Sequence, residues 1–329
     1  MAVGKVTVET GSRLHFGLLS FGNAEGRQYG GVGAMIDGEG IRLSVTPARE
    51  LTMAGPLADR VAKLVTHYVR ATGMPEAPGC HIEVESAPRH HVGLGTGTQL
   101  GLAVGTALDA LLGVPRREIK DLAATVGRGN RSAVGAHGFM QGGLIYEEGK
   151  LSGEALSPLT GRLALPSDWR FVLFCAADQE GLSGGSERES FAKLPPVSAE
   201  MTSRLRSEIT SQMLPAAKSG DIDAFGESVF RYGCLAGECF AAGQGGLYAS
   251  PAAEKLVHSL RTCGVRGVGQ SSWGPTIFAL VADEDQAQSL VKELSSNSSH
   301  THGTASVVSV RNVGSSLQID KVAPTSANP

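Results

Sequence analysis

The chain has 329 residues, 41% of them hydrophobic, and a formal net charge of −3. That length and apolar content can bury substantial cores and suggest two domains. The charge is small and its Lys and Arg are scattered, so no nucleic-acid partner is expected. Five cysteines (Cys80, Cys175, Cys234, Cys239 and Cys263) are odd in number and form no Cys-x-x-Cys pair. They read as reduced thiols, with no structural zinc.

Residues 3–8 alternate like a strand rather than opening a basic and apolar leader, and the longest apolar stretch, 171–177, is too short to cross a bilayer. A soluble cytoplasmic protein with no membrane partner is therefore expected. Strands are predicted at 5–10, 41–46 and 81–86, a glycine-dense stretch at 29–40 and a helix at 57–71. Leu100, Ala103, Val104, Ala107, Leu108 and Leu111 recur at helical spacing, predicting a helix over about 98–112. A second helix follows at 116–126, and Gly142-Gly143 turns into another strand. Residues 151–168, rich in Ser, Pro and Gly, mark the boundary between a first domain (1–165) and a second (166–329). The second half reads as a buried strand at 170–176, helices at 199–218, 222–236 and 251–262, and a strand at 277–281. A helix at 284–294, a strand at 305–310 and a frayed tail at 322–329 complete it.

The most informative stretch is Pro88-Arg89-His90-His91-Val92-Gly93-Leu94-Gly95-Thr96-Gly97-Thr98-Gln99, because it delivers three glycines and two hydroxyls to a helix start. There the first backbone N–H groups lack intrahelical partners, the helix dipole is positive, and glycine lets an anion approach the main chain. Thr96 and Thr98 can cap or donate. The spacing is neither that of GxxxxGK[ST] nor that of GxGxxG, and a plain glycine turn with capping threonines remains an alternative. His15 lies two residues after Arg13 in an apparent strand, so both point to one face. Asp37 follows a glycine turn, where it can hold Mg²⁺ through water or bond its own backbone. Gln270, Ser271, Ser272 and Trp273 set an indole among small polar residues at a glycine-rich turn, a flat surface for an aromatic acid or a buried structural Trp.

Gly11-Ser12-Arg13-Leu14-His15-Phe16-Gly17, the central loop and the late Gly267–Thr276 run together resemble the GHMP kinase superfamily. The resemblance implies an α+β fold: a ribosomal-protein-S5-domain-2-like N-terminal domain containing a left-handed βαβ unit, then a ferredoxin-like C-terminal domain. The central loop would hold phosphate. Mevalonate-type members carry an activating Asp seven residues before a Gly-Gly pair, and that position here is Gly135. A glycine cannot act as base; His137 or Asp37 would have to substitute. Val92–Gln99, Gly181-Leu182-Ser183-Gly184, Glu187-Arg188-Glu189 and Gly267–Pro275 are more narrowly similar to the β-ribofuranosylaminobenzene 5'-phosphate synthase branch.

That branch implies condensation of phosphoribosyl pyrophosphate with 4-aminobenzoate or 4-hydroxybenzoate, releasing pyrophosphate and CO₂, in methanopterin-type cofactor biosynthesis. Mg²⁺ is the implied cofactor and a homodimer the implied assembly. On this reading Arg13, His15, His137 and Gln270 are catalytic. Gly93, Gly95, Thr96, Gly97, Thr98, Gln99, Arg128, Arg131 and Ser132 bind phosphate. Ser183, Glu187, Arg188, Ser271, Ser272 and Trp273 meet the aromatic acid, and Asp37 meets the metal. An ATP-dependent small-molecule kinase and a catalytically silent phosphosugar-binding protein are the competing readings.

Overall fold

Short alternating segments separated by glycine turns give thirteen strands among the described residues of the computed structural model, which covers 2–88, 92–176, 191, 193–296 and 303–322. They form three sheets. The first has the order β13-β1-β4-β6-β5, from β1 (Ala2–Glu9), β4 (Arg42–Pro47), β5 (Thr52–Ala54), β6 (Cys80–Ser86) and β13 (Ser316–Val322). Only β5 and β6 run parallel there, linked through helix α1 (Ala58–Thr72). Val6, Val8, Leu43, Val45, Ile82 and Val84 form its inner face, buried with α1, α2 (Thr96–Leu111) and α3 (Ile119–Thr125). Leu100, Val104, Ala107 and Leu108 form the face of α2 that enters this core, as their spacing requires.

The second sheet, β2-β3-β7-β8, uses β2 (Ser12–Ser20), β3 (Tyr29–Ile36), β7 (Leu144–Glu147) and β8 (Leu159–Leu163), with α4 (Val134–Gln141) between β3 and β7 in the chain. β3 occupies the glycine-dense stretch, and β8 lies inside the expected linker. The third sheet, β10-β11-β9-β12, comprises β9 (Arg170–Ala176), β10 (Gly267–Gln270), β11 (Ile277–Val281) and β12 (Gly303–Ser309). Its chain order, strand, helices, two strands, helix, strand, is the split βαβ arrangement of a ferredoxin-like domain.

Two helical features shape the centre. Residues 199–219 continue from α5 (Ala199–Glu208) through a π-helical turn (Ile209–Met213) into α6 (Leu214–Ser219). Pro215 lacks an N–H and its ring would strike the carbonyl four residues back, so the wider turn just before it relieves both problems. Helix α7 (Ile222–Gln244) runs eight residues past its expected end and stops at Gly245 in left-handed conformation. It packs on β2 and on β10, and one core joins Leu14, Phe16 and Val32 to Phe171, Phe225 and Phe278. Burying each such side chain contributes roughly 1.5–3 kcal/mol, so the two halves are welded. The expected division at residue 165 is therefore not clean: β13, which ends where the tail expected to fray begins, pairs with β1 along Ala2–Glu9 and forms an edge of the first sheet. Among the described residues no helix is long and apolar enough to cross a membrane.

Candidate active site

The glycine loop does start a helix. Gly95 caps α2 with φ 74°, and Gly93 has φ 89°, where an added Cβ would run into the Ser271 carbonyl. Both positions need glycine for their left-handed backbone. The loop is clamped from two directions. Arg13 donates from its backbone to the Leu94 carbonyl (3.0 Å) and from Nη1 to the Gly93 carbonyl (2.7 Å). From the C-terminal half, Ser271 Oγ donates to the Gly93 carbonyl (2.8 Å) and Thr276 Oγ1 to the Val92 carbonyl (2.6 Å). Ser271 Oγ also accepts the His15 backbone N–H (3.1 Å), and the Ser272 N–H donates to the His15 carbonyl (2.9 Å). Ser272 holds φ 58°, a conformation that costs a non-glycine residue roughly 1–3 kcal/mol and persists where surrounding contacts enforce it.

Above the loop lies a cavity of about 170 Å³ lined by residues 92–98, Ser272–Gly274 and three arginines, Arg13, Arg60 and Arg128. The Arg60 and Arg128 guanidinium nitrogens stand 3.3 and 3.6 Å from where a Cβ on Gly97 would sit. Burial, and then the neighbouring Arg60 charge, lower the Arg128 pKa, and its buried Nε has no hydrogen-bond partner among the described residues. Cations gathered at a helix N-terminus make a receptor for a polyanion.

Adjoining it is a larger cavity of about 270 Å³ that shares Arg13, Thr98, Arg128, Ser272 and Trp273 with the first. The loop 127–132, including Asn130 and Arg131, forms one wall, and α7 forms another through Gly233, Ala236, Gly237, Phe240 and Gln244. Trp273, Phe240 and Phe191 form a ring cluster, with centroids 5.2 Å apart for Phe240–Trp273 and 5.9 Å for Phe191–Trp273. Trp273 Nε1 donates to Gln244 Oε1 (2.9 Å), which fixes the indole, and Arg131 stacks 5.2 Å from the Phe191 centroid. His15 Nε2 meets Ser132 Oγ at 2.9 Å, and that oxygen accepts the Val134 N–H (3.2 Å). Burial foremost, and Arg13 second, hold the His15 pKa well below 6.5, so the ring is neutral at pH 7. The buried Glu147 carboxylate accepts from the Ala133 N–H (3.0 Å) and the Gly149 N–H (2.9 Å), fixing the backbone next to Ser132.

Several expected site residues fall elsewhere. Asp37 lines a different cavity with Glu9 and Glu39 and is paired with Arg311 at 2.6 Å. His137 is buried and bonded through Nε2 to the Ser157 carbonyl (2.8 Å), outside the cleft lining. Gln99 is fully buried, its Nε2 donating to the Gly135 carbonyl (2.8 Å), so its amide ties α2 to α4 instead of meeting phosphate. Ser271, also fully buried, is a clasp between loops and presents no surface to an aromatic acid. Gln270 lines the cleft, yet its amide is spent on the Ala249 N–H (2.8 Å) and the Ser272 carbonyl (3.1 Å), so it positions the Trp273 turn. Ser183, Glu187 and Arg188, like His90 and His91, lie outside the described residues. Arg60, Asn130, Phe191, Phe240 and Gly233 carried no local motif, and it is the fold that brings them to the cleft.

Gly135 lies on the first turn of α4, and a Cβ there would sit 3.5 Å from Thr98 and 3.7 Å from Arg13. The position at which mevalonate-type kinases carry Asp thus lies beside two cleft-lining residues and is bare. Among the described residues no Asp or Glu lines either cavity, and no cluster of His, Cys, Asp and Glu could hold a metal. Mg²⁺ favours anionic oxygen ligands, so these lining residues, with hydroxyls and amides only, do not form a protein-held Mg²⁺ site.

This architecture, with a phosphate-type loop between an N-terminal domain and a ferredoxin-like domain, defines the GHMP kinase class. Profiles of the GHMP kinases N terminal domain and GHMP kinases C terminal match residues 57–142 and 213–300. Similar solved structures include a putative homoserine kinase from Listeria monocytogenes (TM-score 0.68, 14% identity, 95% of this chain and 99% of that one). Another is mevalonate diphosphate decarboxylase from Staphylococcus aureus (TM-score 0.67, 14% identity, 96% and 98%). Within the class, the chain is 30% identical over 302 residues to β-ribofuranosylphenol 5'-phosphate synthase of Methanothermobacter thermautotrophicus, covering 85% of this chain and 89% of the relative. It is 31% identical to that of Archaeoglobus fulgidus, over 83% and 87%. The chain belongs to the β-ribofuranosylphenol 5'-phosphate synthase family and is an enzyme of that family.

Proposed function

We propose that the enzyme condenses phosphoribosyl pyrophosphate with a 4-substituted benzoate to give a β-ribofuranosyl-arene 5'-phosphate, CO₂ and pyrophosphate. The observation that carries this reading is a cleft with four arginines (Arg13, Arg60, Arg128, Arg131), a three-ring cluster and no lining carboxylate among the described residues. Phosphoryl transfer to a hydroxyl wants a base, and Gly135 leaves that position bare.

The proposed reaction requires no net proton transfer. The C1–O bond of the ribose breaks with its electron pair going to pyrophosphate, and the ring carbon bearing the carboxylate bonds to C1. The carboxylate carbon then departs as CO₂, returning its bonding pair to the aromatic ring. A neutral His15 beside Ser132 suits such chemistry as a hydrogen-bonding group at the ribose end of the cleft. The Thr96 and Gly97 N–H groups at the α2 start, with Arg13, Arg60 and Arg128, stabilise the charge that grows on the leaving pyrophosphate, the kind of preorganised electrostatics that contributes most to many rate enhancements. Thr98, Arg131 and Ser132 are within the same cleft for the remaining phosphate or the carboxylate. Bound Mg²⁺ would supply counter-charge to the substrate's phosphates.

The product named for the relatives is a phenol, which favours 4-hydroxybenzoate over 4-aminobenzoate. The test supplies each acid labelled at the carboxyl carbon with phosphoribosyl pyrophosphate and Mg²⁺ and counts released CO₂. Release that requires phosphoribosyl pyrophosphate and is indifferent to ATP supports the reading. No release with either acid, together with ADP formation from ATP and a hydroxylated substrate, would replace it with a kinase.

A further inference from the structure

Helix α7 carries a glycine that its packing does not explain. Gly226 lies against the backbone of Gly267, Gly237 against the Leu247 carbonyl and Gly243 against the Leu194 side chain, so a Cβ at any of these would collide. A Cβ on Gly233 meets nothing within 4 Å among the described residues. Glycine in a helix interior is disfavoured relative to alanine, so the fold alone would be better served by a side chain there. Gly233 lines the 270 Å³ cavity, one turn before Ala236 and two before Phe240. The same cavity is lined by an indole that is held in place, because Gln244 accepts from its N–H and Phe240 and Phe191 pack on it. It lies against the 240–244 end of α7, about 10–15 Å along the helix from Gly233. The aromatic cluster and the bare helix backbone thus line one cavity at successive places along α7, and such a cavity suits a small ligand.

We propose that Gly233 is a specificity-determining residue of the acceptor subsite: a monocyclic aromatic carboxylate occupies the cavity along the uncovered α7 backbone next to the Trp273–Phe240 cluster, and any side chain at 233 takes its volume. The inference rests on the proposed function and names the place and size limit of its acceptor. The pyrophosphate contacts at the α2 start lie in the adjoining cavity, whose lining does not include Gly233, so a side chain at 233 acts on the acceptor more than on the pyrophosphate.

The experiment compares wild-type protein with Gly233→Ala and Gly233→Leu. Both variants should melt no lower than wild type, since the substitution favours helix and meets open space. KM for the benzoate should rise roughly tenfold or more from Ala to Leu while KM for phosphoribosyl pyrophosphate stays within about threefold. A Gly233→Leu enzyme whose benzoate KM stays within about threefold of wild type overturns the inference and leaves the proposed function standing. Quenching of tryptophan fluorescence by 4-hydroxybenzoate is titrated in parallel. If wild type releases no CO₂ yet is quenched, and Gly233→Leu is not, the subsite stands and the reaction falls. If wild type is neither active nor quenched, both fall.

Discussion

Replacing Arg128 with Met tests whether the arginine cluster is built for a ligand or for the fold. The Arg60 and Arg128 nitrogens lie 3.3 and 3.6 Å from one point, hence no more than about 7 Å from each other. Two unit charges at that separation repel by roughly 0.6 kcal/mol in a water-like medium and roughly 2.4 kcal/mol at an effective dielectric of about 20. Methionine keeps much of the stem that packs over Gly101 while removing the charge and the unpartnered Nε. The ligand-free variant should therefore be as stable as wild type or gain roughly 1–4 °C in Tm. Pyrophosphate loses a charge-assisted contact of about 1.5–3 kcal/mol, so its Kd by isothermal titration should weaken roughly 10- to 150-fold. A Tm lowered by more than about 5 °C with pyrophosphate affinity unchanged would refute the reasoning and make Arg128 a structural residue.

Glu147→Gln keeps one acceptor oxygen but turns amide hydrogens on one of the two backbone donors, so urea melts should show a loss of about 1–3 kcal/mol, and an unchanged midpoint would deny the carboxylate its anchoring role. His15 stays neutral when folded but protonates near 6.5 when unfolded. Stability therefore falls as pH drops below that value, by at most about 1.4 kcal/mol per unit and until the folded ring itself protonates. His15→Gln should flatten that dependence in melts between pH 4 and 7, and an identical slope would show the ring to be accessible to protons. Gly135→Asp should fold with little change in Tm, because its Cβ finds only ordinary contacts. It should cut benzoate-dependent CO₂ release by roughly tenfold or more by setting a carboxylate beside Arg13; retained release would mean that this position does not face the reacting groups.

Elements whose signal is local were legible in the sequence. The strands at 170–176 and 277–281 and the helix at 251–262 emerge at their expected bounds, because apolar runs and a capping Ser250-Pro251 define them without help. The start of α2 was legible for the same reason. Strands β3 and β8 were not: glycine content and linker-like composition hid residues that only the neighbouring strands make extended. β13 was missed because every residue in it is exposed, and its pairing with β1 spans the length of the chain. At the site, Arg13, His15, Thr98, Arg131 and Trp273, each lying in or near a distinctive local string, line the cleft. Arg60 did not, since a single arginine in the first turn of an amphipathic helix looks like any solvated charge until α1 and α2 are laid side by side. His137, Gln99 and Ser271 failed in the opposite sense: polar residues beside a motif proved to be its scaffolding, satisfying buried backbone groups.

The clasp formed by Ser271 and Thr276 on the glycine loop has a consequence for how the gene can be divided. The loop's sequence belongs to the first half, but three carbonyl contacts that shape it, at Val92, Gly93 and His15, are made by residues of the second half. A fragment ending near residue 165 would carry every letter of the anion-binding motif and the Arg13 side of its clamp but not the Ser271 and Thr276 side, so evolution by exchange of halves must carry the two loops together.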